Sequence, residues 1–144
     1  MLYYLDTMIV VYAVEGTPAN QQRALKHLAG LESAGHDFAI SDFTLTECLV
    51  PHLAPNHSLQ LSEFYQFFHG PGLRTISLTA AMYTRAAAIR GTHAYPANSA
   101  AKPRRIGLAD AIHLSVAIES GCHVFLTNDS RLANFQGITV ELLP

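Results

Sequence analysis

The sequence predicts an α/β protein: a three-layer α/β/α sandwich with a central parallel sheet of four to five strands. Short β-like runs alternate with longer helical ones, the pattern of parallel strands joined by crossover helices. Composition agrees, since 49% of the residues are hydrophobic and only 14% charged, which suits a packed core and not a disordered chain. A length of 144 residues fits a single domain spanning 1–144.

Leu2 to Leu5 reads as a buried first strand inside the apolar run MLYYLDTMIVVYAV. A helix follows from about Ala19 to Ala34, with Ala24, Leu25, Leu28 and Leu31 at helical spacing and Gly35 ending it. Phe38 to Ile40 is the second strand. Ser41 or Asp42 caps the next helix, which carries Leu45, Cys48 and Leu49 and stops near Pro51. Ser58 to Phe68 is helical and closes at Gly70-Pro71. Phe64, Tyr65, Phe67 and Phe68 on it suit a core or a dimer interface better than a base-stacking platform, because no positive charge is interleaved with them.

Leu73 to Ile76 is a third strand and Thr79 to Arg90 an Ala-rich helix. Residues 91–103, GTHAYPANSAAKP, form a loop by composition. Ile106 to Ser120 is an apolar helix ended by Gly121. Val124 to Leu126 and Ile138 to Leu142 complete the strands.

Three carboxylates interrupt apolar stretches. Asp6 lies in the N-terminal run, Glu47 in ISDFTLTECLV and Asp110 in IGLADAIHLSVAI. An ionised carboxylate in such surroundings is costly unless paired, hydrogen-bonded or bound to a cation. No Lys or Arg lies in those runs, so a shared cation accounts for all three.

Chain direction explains how they would meet. In a parallel sheet, ligands bind outside the carboxyl ends of the strands. Asp6 follows strand one, Glu47 lies early in the helix leaving strand two, and Asp110 lies in the first turns of the helix feeding strand four, where the helix dipole favours an anion. Asp129, in LTND just after strand four, joins them as a fourth acid. Like charges gathered at one edge repel unless a cation sits among them. Carboxylates without thiolate or imidazole partners suit a hard ion, Mg²⁺ or Mn²⁺, which binds phosphate oxygens and activates water.

The net charge of −2 offers no bulk attraction for nucleic acid. Its distribution is uneven: no acid occurs between Glu63 and Asp110, an interval holding Arg74, Arg85, Arg90, Lys102, Arg104 and Arg105, six of the nine bases. A polyanionic partner and an ordinary solvated face fit that asymmetry equally. The two cysteines, Cys48 and Cys122, show neither disulfide nor zinc-site spacing and fit a reducing cytoplasm. The N-terminal run lacks the features of a secretory signal, and no stretch of about 20 apolar residues offers a membrane span.

The motifs YLDTMIVVYA, TLTECLV and LADAIHLSVAIESGCHVFLTNDSRL resemble the PIN domain family, specifically the VapC-like ribonuclease toxins of type II toxin–antitoxin systems. The resemblance covers nearly the whole chain, and Asp6, Glu47, Asp110 and Asp129 fill all four positions of the family's acidic quartet. It implies Mg²⁺- or Mn²⁺-dependent endonucleolytic cleavage of RNA leaving a 5′-phosphate and a 3′-hydroxyl. It also implies dimerisation and a cognate antitoxin that inserts a segment into the acidic groove. On that resemblance Asp6 and Asp110 are the principal metal ligands. Glu47 completes the site directly or through water, and Asp129 holds a second metal or orients water.

Other residues carry two readings each. Thr7 and Thr127 sit beside acids and either bond a carboxylate or metal-bound water, or simply make turns. Asp42 reads as a helix cap. The eight histidines form no HxxxH or HxH pair, which disfavours zinc. His113 lies three residues after Asp110 on the same helical face; core packing is the favoured reading, a bond to the acid or to an RNA phosphate the other. Lys102, Arg104 and Arg105 could clamp an RNA backbone, Arg131 a phosphate, and His93 and Tyr95 could stack on an unpaired base.

Two rival functions remain. A receiver-like phospho-acceptor domain also gathers acids at strand ends, but it needs paired acids at the first strand and a lysine after a late one; Asp6 stands alone and no lysine follows Lys102. A non-catalytic RNA- or protein-binding module would leave four acids to repel RNA.

Overall fold

The computed structural model describes residues 1–96 and 104–144. Five strands form one sheet: β1 (Leu2–Leu5), β2 (Asp37–Ser41), β3 (Leu73–Ile76), β4 (Val124–Thr127) and β5 (Thr139–Leu142). Their order is β3-β2-β1-β4-β5, and every pairing is parallel. β1 is central, with Tyr3 opposite both Phe38 and Val124.

Side-chain alternation splits the sheet into two cores. Tyr3, Leu5, Ile40, Val124 and Leu126 point to one face. There they pack against α1 (Thr7–Glu15), α2 (Pro18–Ser33), α3 (Asp42–Leu53) and α4 (Ser58–Phe68). Tyr4, Ala39 and Phe125 point to the other face and meet α5 (Ala80–Thr92) and α6 (Leu108–Glu119). Period-two alternation with apolar residues on both sides is what a doubly covered sheet requires. The three-layer α/β/α sandwich expected from the sequence is therefore the fold.

Several boundaries differ from expectation. Residues 7–15 carry no helical signal of their own, yet α1 starts at Thr7, directly after its cap Asp6. Its apolar residues surround the helix, with Ile9, Val10 and Ala13 buried, so no amphipathic period marks it. α3 does not stop at Pro51 but continues to Leu53. Pro51 sits in the last turn, where it removes one donor without breaking the helix. Ser41, not Asp42, is the N-cap, in a reciprocal capping box with Thr44; Asp42 accepts from the Leu78 amide at 3.3 Å. α5 runs to Thr92, inside the expected loop.

The described ends of that loop are pinned together. Ala94 and Arg105 form an antiparallel bridge, and the Tyr95 amide donates to the Arg104 carbonyl at 2.8 Å. α6 starts at Leu108, two residues later than expected. Among the described residues no helix is long and apolar enough to cross a membrane.

Candidate acidic active site

The strand order places a switch point at β1, which has β2 on one side and β4 on the other. The chain leaves β1 and β4 at the same edge, and α6 begins there too. At that edge lies an open groove of about 610 Å³. Asp6, Glu47, Asp110 and Asp129 all line it, together with Thr7, His113 and Arg131. The topology thus gathers the four acids that the sequence singled out.

Asp6 directly follows β1 and is the N-cap of α1. Its amide donates to the Leu126 carbonyl at 3.0 Å, tying the two central strand ends. One carboxylate oxygen accepts from the Thr7 amide at 2.8 Å, the other from the Thr127 hydroxyl at 2.5 Å. The residue is only 8% exposed. Burial pushes its carboxyl above the usual range; His113 and the Thr127 bond oppose this, while Asp110 adds to it.

Glu47 lies in the second turn of α3. Its Oε2 accepts from the Thr7 hydroxyl at 2.5 Å and lies 2.7 Å from Nε2 of His113. Burial pushes this carboxyl up, but the His113 and Thr7 bonds outweigh it and hold the group below its ordinary value. His113 is 1% exposed, and its Nδ1 lies 2.8 Å from the Tyr4 hydroxyl. Tyr4 donates in turn to Ser41 at 2.8 Å. A buried polar chain therefore runs from the α3 cap through Tyr4 and His113 back to Glu47 on the same helix.

Asp110 occupies the first turn of α6. The Tyr95 hydroxyl donates to its Oδ2, and the Gly107 amide donates to that hydroxyl at 3.0 Å. Gly107 leaves room for this approach: a Cβ there would stand a tight 3.3 Å from both Asp110 Oδ2 and the Tyr95 hydroxyl. Asp129 caps the short 3₁₀ turn Ser130–Leu132. Arg131 Nε lies 2.9 Å from both of its oxygens and Nη2 2.5 Å from one. Those bonds hold the Asp129 carboxyl below the usual range. The Arg131 guanidinium also lies over the Tyr95 ring, 4.4 Å from its centre.

The supporting residues divide as follows. Thr127 is buried and serves both expected roles: it bonds Asp6 and accepts from the Asp129 amide at 3.0 Å. His113 is a core residue, as favoured, but its partner among the acids is Glu47, not the neighbouring Asp110. Arg104 and Arg105 are exposed and do not line the groove, and Lys102 lies outside the described residues. Tyr95 is buried, with its hydroxyl bound to Asp110 and Arg131 over one face of its ring. His93 packs on Phe135, with ring centres 4.9 Å apart.

Neither Tyr95 as the partner of Asp110 nor Tyr4 as the support of His113 is evident from the sequence. Tyr4 carries no polar signal in a buried strand, and Tyr95 sits in a segment whose pairing is non-local.

The donor set fits a hard divalent cation. Its acids offer carboxylate oxygens, and the one imidazole in the groove is spent on Glu47 and Tyr4. Among the described residues, no three His, Cys, Asp or Glu side chains stand close enough to enclose an ion. Each acid is instead held by its own donor: Thr127 for Asp6, Thr7 and His113 for Glu47, Tyr95 for Asp110 and Arg131 for Asp129.

Known structures share this architecture. VapBC2 from Rickettsia felis, solved bound to a DNA fragment from its promoter, contains a chain 21% identical, with a TM-score of 0.75 and full coverage of both chains. A chain of DNA-bound VapBC from Salmonella typhimurium is 21% identical, with a TM-score of 0.67 and full coverage of both. The Mycobacterium tuberculosis toxin VapC20, described as cleaving the sarcin–ricin loop, is 14% identical, with a TM-score of 0.67 over 95% of this chain and 98% of that one. No curated protein sequence matches the chain significantly. The sequence matches the PIN domain over residues 3–138, a span that starts at β1 and takes in all four groove acids, so the chain belongs to the PIN domain family.

Proposed function

We propose that this protein is a metal-dependent endoribonuclease, the toxin of a type II toxin–antitoxin pair held in check by a cognate antitoxin. The observation that carries the reading is the gathering of Asp6, Glu47, Asp110 and Asp129 in one groove at the switch point of the sheet. Four acids around one opening repel a nucleic acid unless a cation neutralises them. A divalent ion there, Mg²⁺ or Mn²⁺, would supply Lewis acidity toward a phosphodiester and lower the pKa of a bound water.

The chain's own residues do the rest. Asp6 is fixed from three sides and, with Asp110, offers the principal ligand oxygens. Glu47 keeps Oε1 free of protein partners among the described residues while Thr7 and His113 hold Oε2. Asp129 stands beside Asp6, its amide donating to the same Thr127 hydroxyl that holds Asp6. Membership of the PIN domain family supports nuclease chemistry, and the kinship of fold with chains from toxin–antitoxin complexes supports an antitoxin partner. We further assign the protein to the cytoplasm and to a homodimer.

The test is incubation of single-stranded RNA with the purified protein in Mg²⁺ or Mn²⁺, with EDTA as control and cleavage ends mapped. Cleavage leaving 5′-phosphates, abolished by EDTA and by Asp6→Asn or Asp110→Asn, is the expected result. Full activity in either variant at saturating Mg²⁺ contradicts it.

A further inference from the structure

The Arg131 side chain stands in the groove on the acid that the proposed metal site needs. Its guanidinium grips both oxygens of Asp129 and sits over the Tyr95 ring. Tyr95 in turn holds Asp110. Asp129, Arg131, Tyr95 and Asp110 thus form one continuous chain along the groove wall. Among the described residues lining that groove, Arg131 is the only Lys or Arg. Its side chain is 56% exposed, and among the described residues the pair with Asp129 and the stack on Tyr95 hold it there.

We propose that Arg131 is a built-in counter-ion that exchanges Asp129 for a substrate phosphate when a divalent cation enters the groove. This rests on the metal-dependent reading above and adds to it a specific role for Arg131. The guanidinium and a divalent cation would draw on the same two Asp129 oxygens and repel each other, so the two uses compete. Once released, the guanidinium stays tethered beside the groove by its stack on Tyr95. Its planar fork suits two oxygens of one phosphate as well as it suits a carboxylate. Arg131 thereby keeps four acids tolerable in the metal-free protein and offers its charge to RNA only when the cation is in place.

The experiment compares wild type, Arg131→Gln and Asp6→Asn by calorimetric titration with Mn²⁺. Binding of a phosphorothioate single-stranded RNA is then followed by fluorescence anisotropy, with and without Mn²⁺. Arg131→Gln is expected to bind Mn²⁺ on the order of threefold to tenfold more tightly than wild type, because a pair of this kind no longer competes. It is also expected to lose most of the gain in RNA affinity that Mn²⁺ confers on the wild type. Unchanged Mn²⁺ affinity in Arg131→Gln overturns the exchange, and so does RNA binding that falls equally with and without Mn²⁺. Loss of Mn²⁺ binding in Asp6→Asn alongside either result leaves the metal site standing. Absence of Mn²⁺ binding in both wild type and Arg131→Gln overturns both proposals.

Discussion

Thr127, the last residue of β4, donates its hydroxyl to Asp6, which follows β1, at 2.5 Å. The two residues are 121 positions apart in sequence and neighbours only because β1 and β4 pair. Thr127 is wholly buried, so its hydroxyl has no solvent to turn to. Thr127→Val keeps the shape and deletes the bond, leaving one Asp6 oxygen and the Asp129 amide without their partner. A loss of about 1–3 kcal/mol in stability is expected, read by urea denaturation of the metal-free protein. A stability equal to wild type would show that the bond does not hold the acid.

His113 reaches Glu47 with one ring nitrogen and Tyr4 with the other. His113→Ala removes the side chain that orients Glu47 and leaves Tyr4 without that contact. We expect cleavage to drop about 10–100-fold, as when a residue behind a metal ligand is lost, along with a lower Tm. Tyr4→Phe separates the two effects. It leaves the Glu47 contact in place and should cost stability while retaining most of the activity.

The buried charge of Asp6 has a sign that can be measured. Its folded carboxyl lies above the ordinary value, so at neutral pH without metal the ionised group opposes folding. Asp6→Asn keeps a good N-cap and removes that charge, so in EDTA at pH 8 its Tm should exceed wild type by about 2–4 °C. The difference should shrink as pH falls through the folded pKa of Asp6, where the wild-type group becomes neutral. Glu47 and Asp129 behave in the opposite sense. Their folded values are depressed, so their stabilisation is present above the ordinary carboxylate range near 4 and is lost as pH drops below it. A Tm difference that is independent of pH would contradict this account.

Tyr95→Phe keeps the ring under Arg131 and deletes the hydroxyl shared by Asp110 and the Gly107 amide. The first turn of α6 then loses a partner at an end that has no side-chain cap. A destabilisation of about 1 kcal/mol is expected, visible in thermal unfolding. Hydrogen exchange should rise at the start of α6 and not in α5.

The strands and the four acids were legible because local signals sufficed: short apolar runs, and carboxylates stranded within them. α1 was not legible, because a helix of almost uniformly apolar residues, TMIVVYAVE, has no polar face to set its period. The grip of Tyr95 on Asp110 was hidden for a different reason. It depends on the pairing of Ala94 with Arg105 across the loop, and residue type alone does not report such a pairing. Arg131 was noticed as a cation near the site, but its engagement with Asp129 follows from the tight turn at Ser130–Leu132, which only the folded backbone displays.

The most direct test of the central claim is a crystal soaked in Mn²⁺, with the ion located by its anomalous scattering. The account predicts a peak in the groove within about 2.0–2.3 Å of carboxylate oxygens of Asp6 and Asp110, absent from Asp6→Asn crystals. No peak there at saturating Mn²⁺, or a peak confined to histidines outside the groove, would contradict it.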